Sequence, residues 1–532
     1  MPGDEITVLP ISYTGTQESS CKERTGKLKE RQVTYYPGFG EQIAPEEKTN
    51  WKRIAVQVAA AATIIGASAA IGFLVGNIPG AIIAAGMTAA LIVLVATCKA
   101  VYDRTLGARF LMQLPKEVNT APDTYKLGKY YEADVSLTST ADEGFEWKKK
   151  LIASATETIE LSANFAGGSS FREILQLIDM KMEANPRIKT HIILSVDLVE
   201  KADDEMLSVL KKKFGSRFEY LKTDRHFKLA LQPYTEENHV KMLVVDGKYF
   251  VGGGTSIHPQ MVRESNPATQ QHKEEPTLAA QALDSCARDM DIVGESVPLA
   301  SVMRKQFFNL YRLWEIRTEN KIVESRFFET AGTPDHSLEL EHKSVRMKCI
   351  VGGPEHRGNN PIVGAYAKSI TKAKKQVRLA NWMFRPTKPI RDALEAARTG
   401  DAKKKIIGYI DGDDGTNSAG KMVRIIPSRN NYPLLDKVYE ARTPDQTYHK
   451  KVATFDNSHM IIGSFNFSKK SANFDHEIVF KIKNERVTGQ CNQILKEDAR
   501  RANKITRETI EKNMVAAKAA SFFVTPLVEN YL

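Results

Sequence analysis

The stretch Tyr448–Asn466, YHKKVATFDNSHMIIGSFN, contains H-x-K-x4-D at His449, Lys451 and Asp456, with Gly463, Ser464 and Asn466 following as G-S-x-N. A second stretch, His239–Ser256, HVKMLVVDGKYFVGGGTS, repeats the first element at His239, Lys241 and Asp246. Two copies in one chain propose a site assembled from two matching halves. Each His-x-Lys lies in an apolar run that reads as a β-strand, and period-two alternation brings side chains two apart to the same face. An imidazole then sits beside an ammonium. Asp246 and Asp456 stand five positions beyond their lysines, an odd offset that takes them off that face and into a supporting role. Gly463, Ser464 and Asn466 follow a second short strand, where small residues and polar donors can approach an anion.

Two such pairs facing one another supply one imidazole to attack phosphorus, another to protonate the leaving oxygen, and two cations to hold the phosphate. No metal ion or other cofactor is required. The surrounding sequence supports a duplication. In the first half KKLIASATETIELSANF reads as helix then strand, FREILQLIDMKM as helix and THIILSVD as strand. In the second half AYAKSITKAKKQVRLANWMF, KPIRDALEAAR and KKKIIGYID follow in the same order. From Ile159 to His239 is 80 positions and from Val377 to His449 is 72, so each unit delivers its histidine at a similar depth. Strands alternating with helices imply α/β lobes, each with a mixed sheet flanked by helices.

Over roughly residues 145–485 the chain resembles the phospholipase D superfamily of phosphodiesterases and phosphatidyl transferases. The second half matches through His449, Lys451, Asp456, Gly463, Ser464, Asn466 and the downstream acid Glu477. The first half matches at His239, Lys241, Asp246 and Gly253, and departs with Gly254 where Ser can stand and Ser256 where Asn is usual. In RDMDIVGESV, Asp289 is the better match for the family's acid and Asp291 the reserve. The resemblance implies that His239 is the nucleophile, oriented by a carboxylate, and His449 the acid. It also implies a phosphohistidine intermediate, resolved by water in hydrolysis or by a second alcohol in transfer.

Residues 54–98 contain no charged residue and are divided by Gly76-Asn77-Ile78-Pro79-Gly80. About 20 apolar residues cross a bilayer, so residues 51–104 read as a helical membrane hairpin. Lys52 and Arg53 before it and Lys99 and Arg104 after it put both ends on one side. Gly72-x-x-x-Gly76 and many alanines would let the helices approach closely. A buried helical hairpin of a soluble protein is the alternative. The layout resembles that of cardiolipin synthases, and also that of inclusion-membrane proteins of obligate intracellular bacteria, which leaves open a secreted bacterial protein in a host-derived membrane.

The chain of 532 residues has room for two sizeable lobes, and its net charge of +11 suits anionic partners: a phospholipid membrane, nucleic acid, or simply a solvated lysine-rich surface. Five cysteines, at 21, 98, 286, 349 and 491, lack C-x2-C spacing and indicate neither a disulfide framework nor a zinc site. The expected organisation is a flexible polar tail at 1–50, the hairpin at 51–104, and phospholipase D-like lobes at 105–320 and 321–532. Residues 258–285 read as a polar insertion and 490–518 as a basic helix. DGDDGTN at 411–417 reads as a turn rather than a calcium loop. His459 and His476 could touch substrate but read rather as structural or exposed, and Trp382 and Phe384 could line a lipid pocket but read rather as core. The functional expectation is a membrane-anchored phosphodiesterase acting on phospholipid head groups. Cardiolipin-type transfer, metal-independent nucleic-acid cleavage and a non-catalytic scaffold are the alternatives, and no obligate protein partner is evident.

Overall fold

The computed structural model describes residues 125–195, 198–223, 237–262, 286–319, 337–356, 358–400, 404–412, 424–441 and 446–506, together with a two-stranded pair formed by Glu41–Gln42 and Leu111–Met112. The expected hairpin at 51–104 and most of the tail at 1–50 lie outside these residues, as does the insertion beyond Val262. Among the described residues no helix is long and apolar enough to cross a membrane.

The first half runs β1 (Tyr131–Leu137), α1 (Ala141–Ser154), β2 (Thr158–Ala163), α2 (Gly168–Ala184), β3 (Lys189–Ser195), α3 (Lys201–Phe214) and β4 (Phe218–Thr223). It continues through β5 (Met242–Val245), β6 (Tyr249–Gly253), β7 (Asp291–Glu295) and α4 (Val297–Glu319). The second half runs β8 (His342–Gly352), α5 (Pro361–Lys372), β9 (Gln376–Asn381), α6 (Lys388–Thr399), β10 (Lys405–Ile410) and β11 (Lys437–Glu440). It ends with β12 (Val452–Phe455), β13 (His459–Gly463), β14 (Asp475–Lys483), α7 (Glu485–Arg500) and β15 (Asn503–Ile505). The expected helix at 490–518 therefore stops at Arg500, where the chain turns back to pair β15 with the edge strand β11.

These strands form one mixed sheet in the order β15-β11-β10-β9-β12-β13-β14-β8-β1-β7-β6-β5-β2-β3-β4. Leaving β15 aside, the order reads the same from either end once each strand is replaced by its counterpart, with the turning point at the antiparallel pair β8–β1. Corresponding registers agree: Ile159 lies opposite Val245, and Val377 lies opposite Phe455. The central parallel strands β3 and β10 are buried almost throughout, with apolar runs at Ile192–Leu194 and Ile406–Ile407, because both faces are covered.

Two core clusters, one per half, lie under α1–α3 and α5–α6. A third is shared, and Met303, Phe307, Leu310 and Trp314 of α4 enter it together with Phe480, Ile482 and Leu495 from the second half. The lobes are thus fused through both a sheet and a core, which fixes the distance between anything they carry on their adjoining edges.

Candidate active site

His239–Lys241 and His449–Lys451 do not begin their strands. They are extended segments just before β5 and β12, and their backbones are held by the opposite half. Glu237–Asn238 pairs in parallel with Asp475–His476, and Gln446–Tyr448 pairs in parallel with Cys286–Arg288. His239 N–H donates to the His476 carbonyl at 3.0 Å, and His449 N–H donates to the Arg288 carbonyl at 2.9 Å. The residue after each of these carbonyls is an acid. Glu477 therefore reaches His239, whose Nδ1 lies 3.0 Å from both carboxylate oxygens, while Asp289 reaches His449, Nδ1 to Oδ2 2.6 Å. Each histidine takes its carboxylate from the other half.

The lysines complete the cluster. Lys451 Nζ lies 2.9 Å from His449 Nε2 and donates to the His449 carbonyl at 2.8 Å. Lys241 Nζ donates to the carbonyl of His239 and to Asn164 Oδ1, both at 3.3 Å. All four residues are at most 5% exposed. Burial, reinforced by Lys241, holds the His239 imidazole well below its usual value. Burial and the Lys451 ammonium take His449 down to about 3 against the pull of Asp289. Burial also lowers Lys451 to about 7 and Lys241 to about 8, with Asp289 and Glu477 respectively opposing it. Glu477 is pushed up to about 7 by burial, whereas His449 and Lys451 outweigh burial at Asp289 and keep it low. With Nδ1 engaged by a carboxylate, each neutral imidazole has Nε2 as its remaining nitrogen.

The glycines explain how the acids come so close. A Cβ at Gly463 would meet the Ile478 carbonyl at 2.2 Å, and one at Gly253 would meet Asp291 Oδ1 at 2.3 Å and the Met290 carbonyl at 2.6 Å. Ser464 directs its hydroxyl to Glu477. At the corresponding position Gly254 leaves Asp289 without that donor, and Asp289 Oδ1 instead accepts from Met290 N–H at 2.9 Å. Asp291 points away, pairing with the buried Lys148 and accepting from Thr255 N–H at 3.0 Å. Among the described residues, Ser256 Oγ and Asn466 Oδ1 are buried without a hydrogen-bond partner.

Asp246 and Asp456 touch neither imidazole. Asp246 accepts from the backbone N–H groups of Thr156, Glu157 and Thr158 and from the Thr156 hydroxyl at 2.7–2.8 Å, and Asp456 accepts from those of Lys374, Lys375 and Gln376 at 2.7–2.9 Å. Both sit at positive φ, 52° and 54°, where Asp is better tolerated than most residues. They tie each motif hairpin to the turn that precedes β2 or β9.

Sequence reasoning set one contributor aside and missed two more. Trp382, read there as core, is half-buried at the site, its ring edge-on to His449 at 5.3 Å with Lys451 over it at 6.0 Å; Phe384 is core. Asn164 is its counterpart, the first residue after β2 as Trp382 is after β9. The third is a buried network in which Glu237 accepts from Asn164 and Lys470, and Lys470 pairs with Asp475 at 2.8 Å. Aligning the two repeats residue by residue past the strand ends would have flagged Asn164 and Trp382. His476 is buried edge-on to Trp314 and His459 stacks on Phe455, both structural.

Residues 366–499 match the family model described as "Cardiolipin synthase, PLD-like domain". That match gives the second half a phospholipase D-like domain, and the relatives support the phospholipase D superfamily for the chain. It is 26% identical over 160 residues, 30% of its length, to the minor cardiolipin synthase ClsB of Bacillus subtilis, covering 38% of that protein. It is 23% identical over 286 residues to a cardiolipin synthase of Clostridium perfringens strain SM101, covering 53% of each chain. The chain thus spans about half, or less, of these relatives' lengths. Phosphatidylserine synthase of Haemophilus influenzae shares the fold, with a TM-score of 0.51 at 12% identity over 75% of this chain and 95% of that one.

Proposed function

We propose that this protein is a phospholipase D-type phosphodiesterase that works on phospholipids through a phosphohistidine. The observation that supports it most directly is the crosswise pairing of His239 with Glu477 and His449 with Asp289 beside two buried lysines. Neutral His239 attacks phosphorus through Nε2, forming a P–N bond while the P–O bond to the leaving alcohol breaks. Glu477 stabilises the positive imidazole that results. His449 delivers a proton from Nε2 to the departing oxygen, and the anionic substrate favours the protonated form that the empty site disfavours. Lys241 and Lys451 hold the equatorial oxygens as charge develops. In the second step His449 removes a proton from the incoming hydroxyl, whose oxygen displaces His239. The cardiolipin synthase relatives favour a lipid alcohol as that acceptor over water. We further propose that residues 51–104 anchor the chain as a hairpin, and that the functional lobes divide at 105–320 and 321–532.

Incubation with phosphatidylglycerol labelled at phosphorus, followed by rapid quenching in base, should trap label on His239. Products chased with water, glycerol or unlabelled phosphatidylglycerol identify the acceptor. Absence of label in wild-type protein that consumes substrate would overturn the covalent mechanism.

A further inference from the structure

The Glu477 end of β14 lies in the active site, and its other end carries a different feature. Arg346 lies opposite Lys483 and Lys348 opposite Lys481 in the β8–β14 ladder, so four cations share one face of two adjacent strands. They stand four to six residues beyond Glu477, roughly 13–20 Å along the strand. Helix α5 adds Lys368 and Lys372, and Lys481 Nζ donates to Ser369 Oγ between them at 2.6 Å. The Tyr130 ring sits among these charges, with Lys483 Nζ at 4.5 Å, Lys348 Nζ at 5.3 Å and the Arg346 guanidinium at 5.6 Å from its centroid.

Like charges in adjoining ladder positions oppose folding. Burial followed by Lys348, Lys483, Lys368 and Lys372 brings Lys481 down to about 8, and burial followed by Lys483 and Lys368 lowers Lys348. Glu132, opposite Arg346, is the carboxylate of this register, and no ion pair joins it to Arg346 among the described residues. Lys343, nearby, is already paired with Asp134.

We propose that the face built from Arg346, Lys348, Lys368, Lys372, Lys481 and Lys483 around Tyr130 docks on the surface of an anionic phospholipid bilayer. Lysines are strongly hydrated point charges, suited to a diffuse anionic surface rather than to a shaped phosphate cradle. The Tyr130 ring already carries cations, so it offers no open platform on which a nucleic-acid base could stack. Tyr130 is also where the chain enters β1, with only Lys99–Lys129 separating it from the uncharged run Ile54–Cys98. This docking is independent of the phosphodiesterase reading.

Amine-reactive footprinting of the full chain on vesicles tests it. On an equimolar mixture of phosphatidylcholine and phosphatidylglycerol, Lys368, Lys372 and Lys483 should react about fivefold more slowly than on phosphatidylcholine alone, the factor corresponding to roughly 1 kcal/mol per basic residue at an anionic surface. High salt should remove the protection. Lys348→Glu/Lys483→Glu should abolish it at Lys368 and Lys372, whereas His239→Ala should leave it intact, separating docking from catalysis. Equal reactivity on the two vesicle types, or protection by single-stranded DNA but not by anionic lipid, would overturn the proposal.

Discussion

Glu477 reaches His239 with the Ser464 hydroxyl bound to it, whereas Asp289 reaches His449 beside a glycine and turns its second oxygen to the Met290 N–H. The long acid goes with the serine and the short acid with the glycine, so side-chain length and available space change together. Around Lys241 lies the polar group of Asn164, Glu237, Lys470 and Asp475; around Lys451 lies the Trp382 ring. A duplicated fold has thus produced two imidazoles in unlike surroundings. The difference matters because a two-step reaction gives its two imidazoles different work. The raised Glu477 and the depressed Asp289 are the electrostatic expression of the same asymmetry.

The histidines should break the equivalence most. His239→Ala should lower activity by about 10,000-fold or more and remove the covalent intermediate. His449→Ala should cost roughly 100 to 10,000-fold with lipid substrates and much less with an activated aryl phosphodiester, whose leaving group needs no proton. Measuring both variants against both substrates decides it. An activated ester that rescues His239→Ala instead would exchange the roles.

The lysines come next. Lys241→Ala and Lys451→Ala should each cost about 100 to 1,000-fold. With Lys451 near 7 and Lys241 near 8, each ammonium is present at lower pH and lost as pH rises through its value. The ratio kcat/KM should therefore fall between about pH 7 and 8. Bound phosphate favours the ammonium forms, so kcat should persist to higher pH. Lys451→Arg, where the cation cannot be titrated away, should move the alkaline limb upward even if its maximum rate is lower. An unshifted limb would show that another group controls it.

A finer test trades the acids. Glu477→Asp should cost about 100-fold, since retreat by one methylene misplaces the His239 partner. Adding Ser464→Gly gives the second half the Gly/Asp combination of the first and should recover about tenfold. Gly254→Ser alone should be poorly tolerated, because its Cβ would lie 2.1 Å from Asp289 Oδ1. If the double variant is no better than Glu477→Asp, the covariation of size and space is incidental.

Much of this was legible in the sequence because it is local. Helices and strands around Ile159 and Val377 follow from periodicity, whereas Asp246 and Asp456 lie in the turns after β5 and β12, where backbone donors rather than strand alternation set their place. The motif spacing also brought His449 and Lys451 together as expected. What could not be read is the exchange between halves. Glu237–Asn238 and Asp475–His476 are two-residue ladders that exist only because another segment lies alongside, and no periodicity develops over two residues. Trp382 looked like core for a related reason: β9 ends at Asn381, one residue before it, and strand ends are set by tertiary pairing. The fused sheet likewise depends on β8 meeting β1, a contact between segments more than two hundred residues apart.

The smallest effects on chemistry should come from the two motif aspartates, and here the halves differ in stability rather than in rate. Asp246 is almost fully buried and accepts four hydrogen bonds, whereas Asp456 accepts three, two of them in exposed surroundings. Removing an acceptor strands the donors it satisfied, and water can replace it at Lys374 and Lys375 more readily than around Thr158. Each replacement by alanine also places a less tolerant residue at positive φ. Asp246→Ala should therefore cost about 3 kcal/mol and Asp456→Ala about half as much, read from urea unfolding followed by a probe in each half. Where the protein stays folded, kcat should change only a few-fold. A large fall in kcat for either variant at full stability would place that carboxylate in the reaction itself, which neither its distance from the imidazoles nor its set of backbone donors supports.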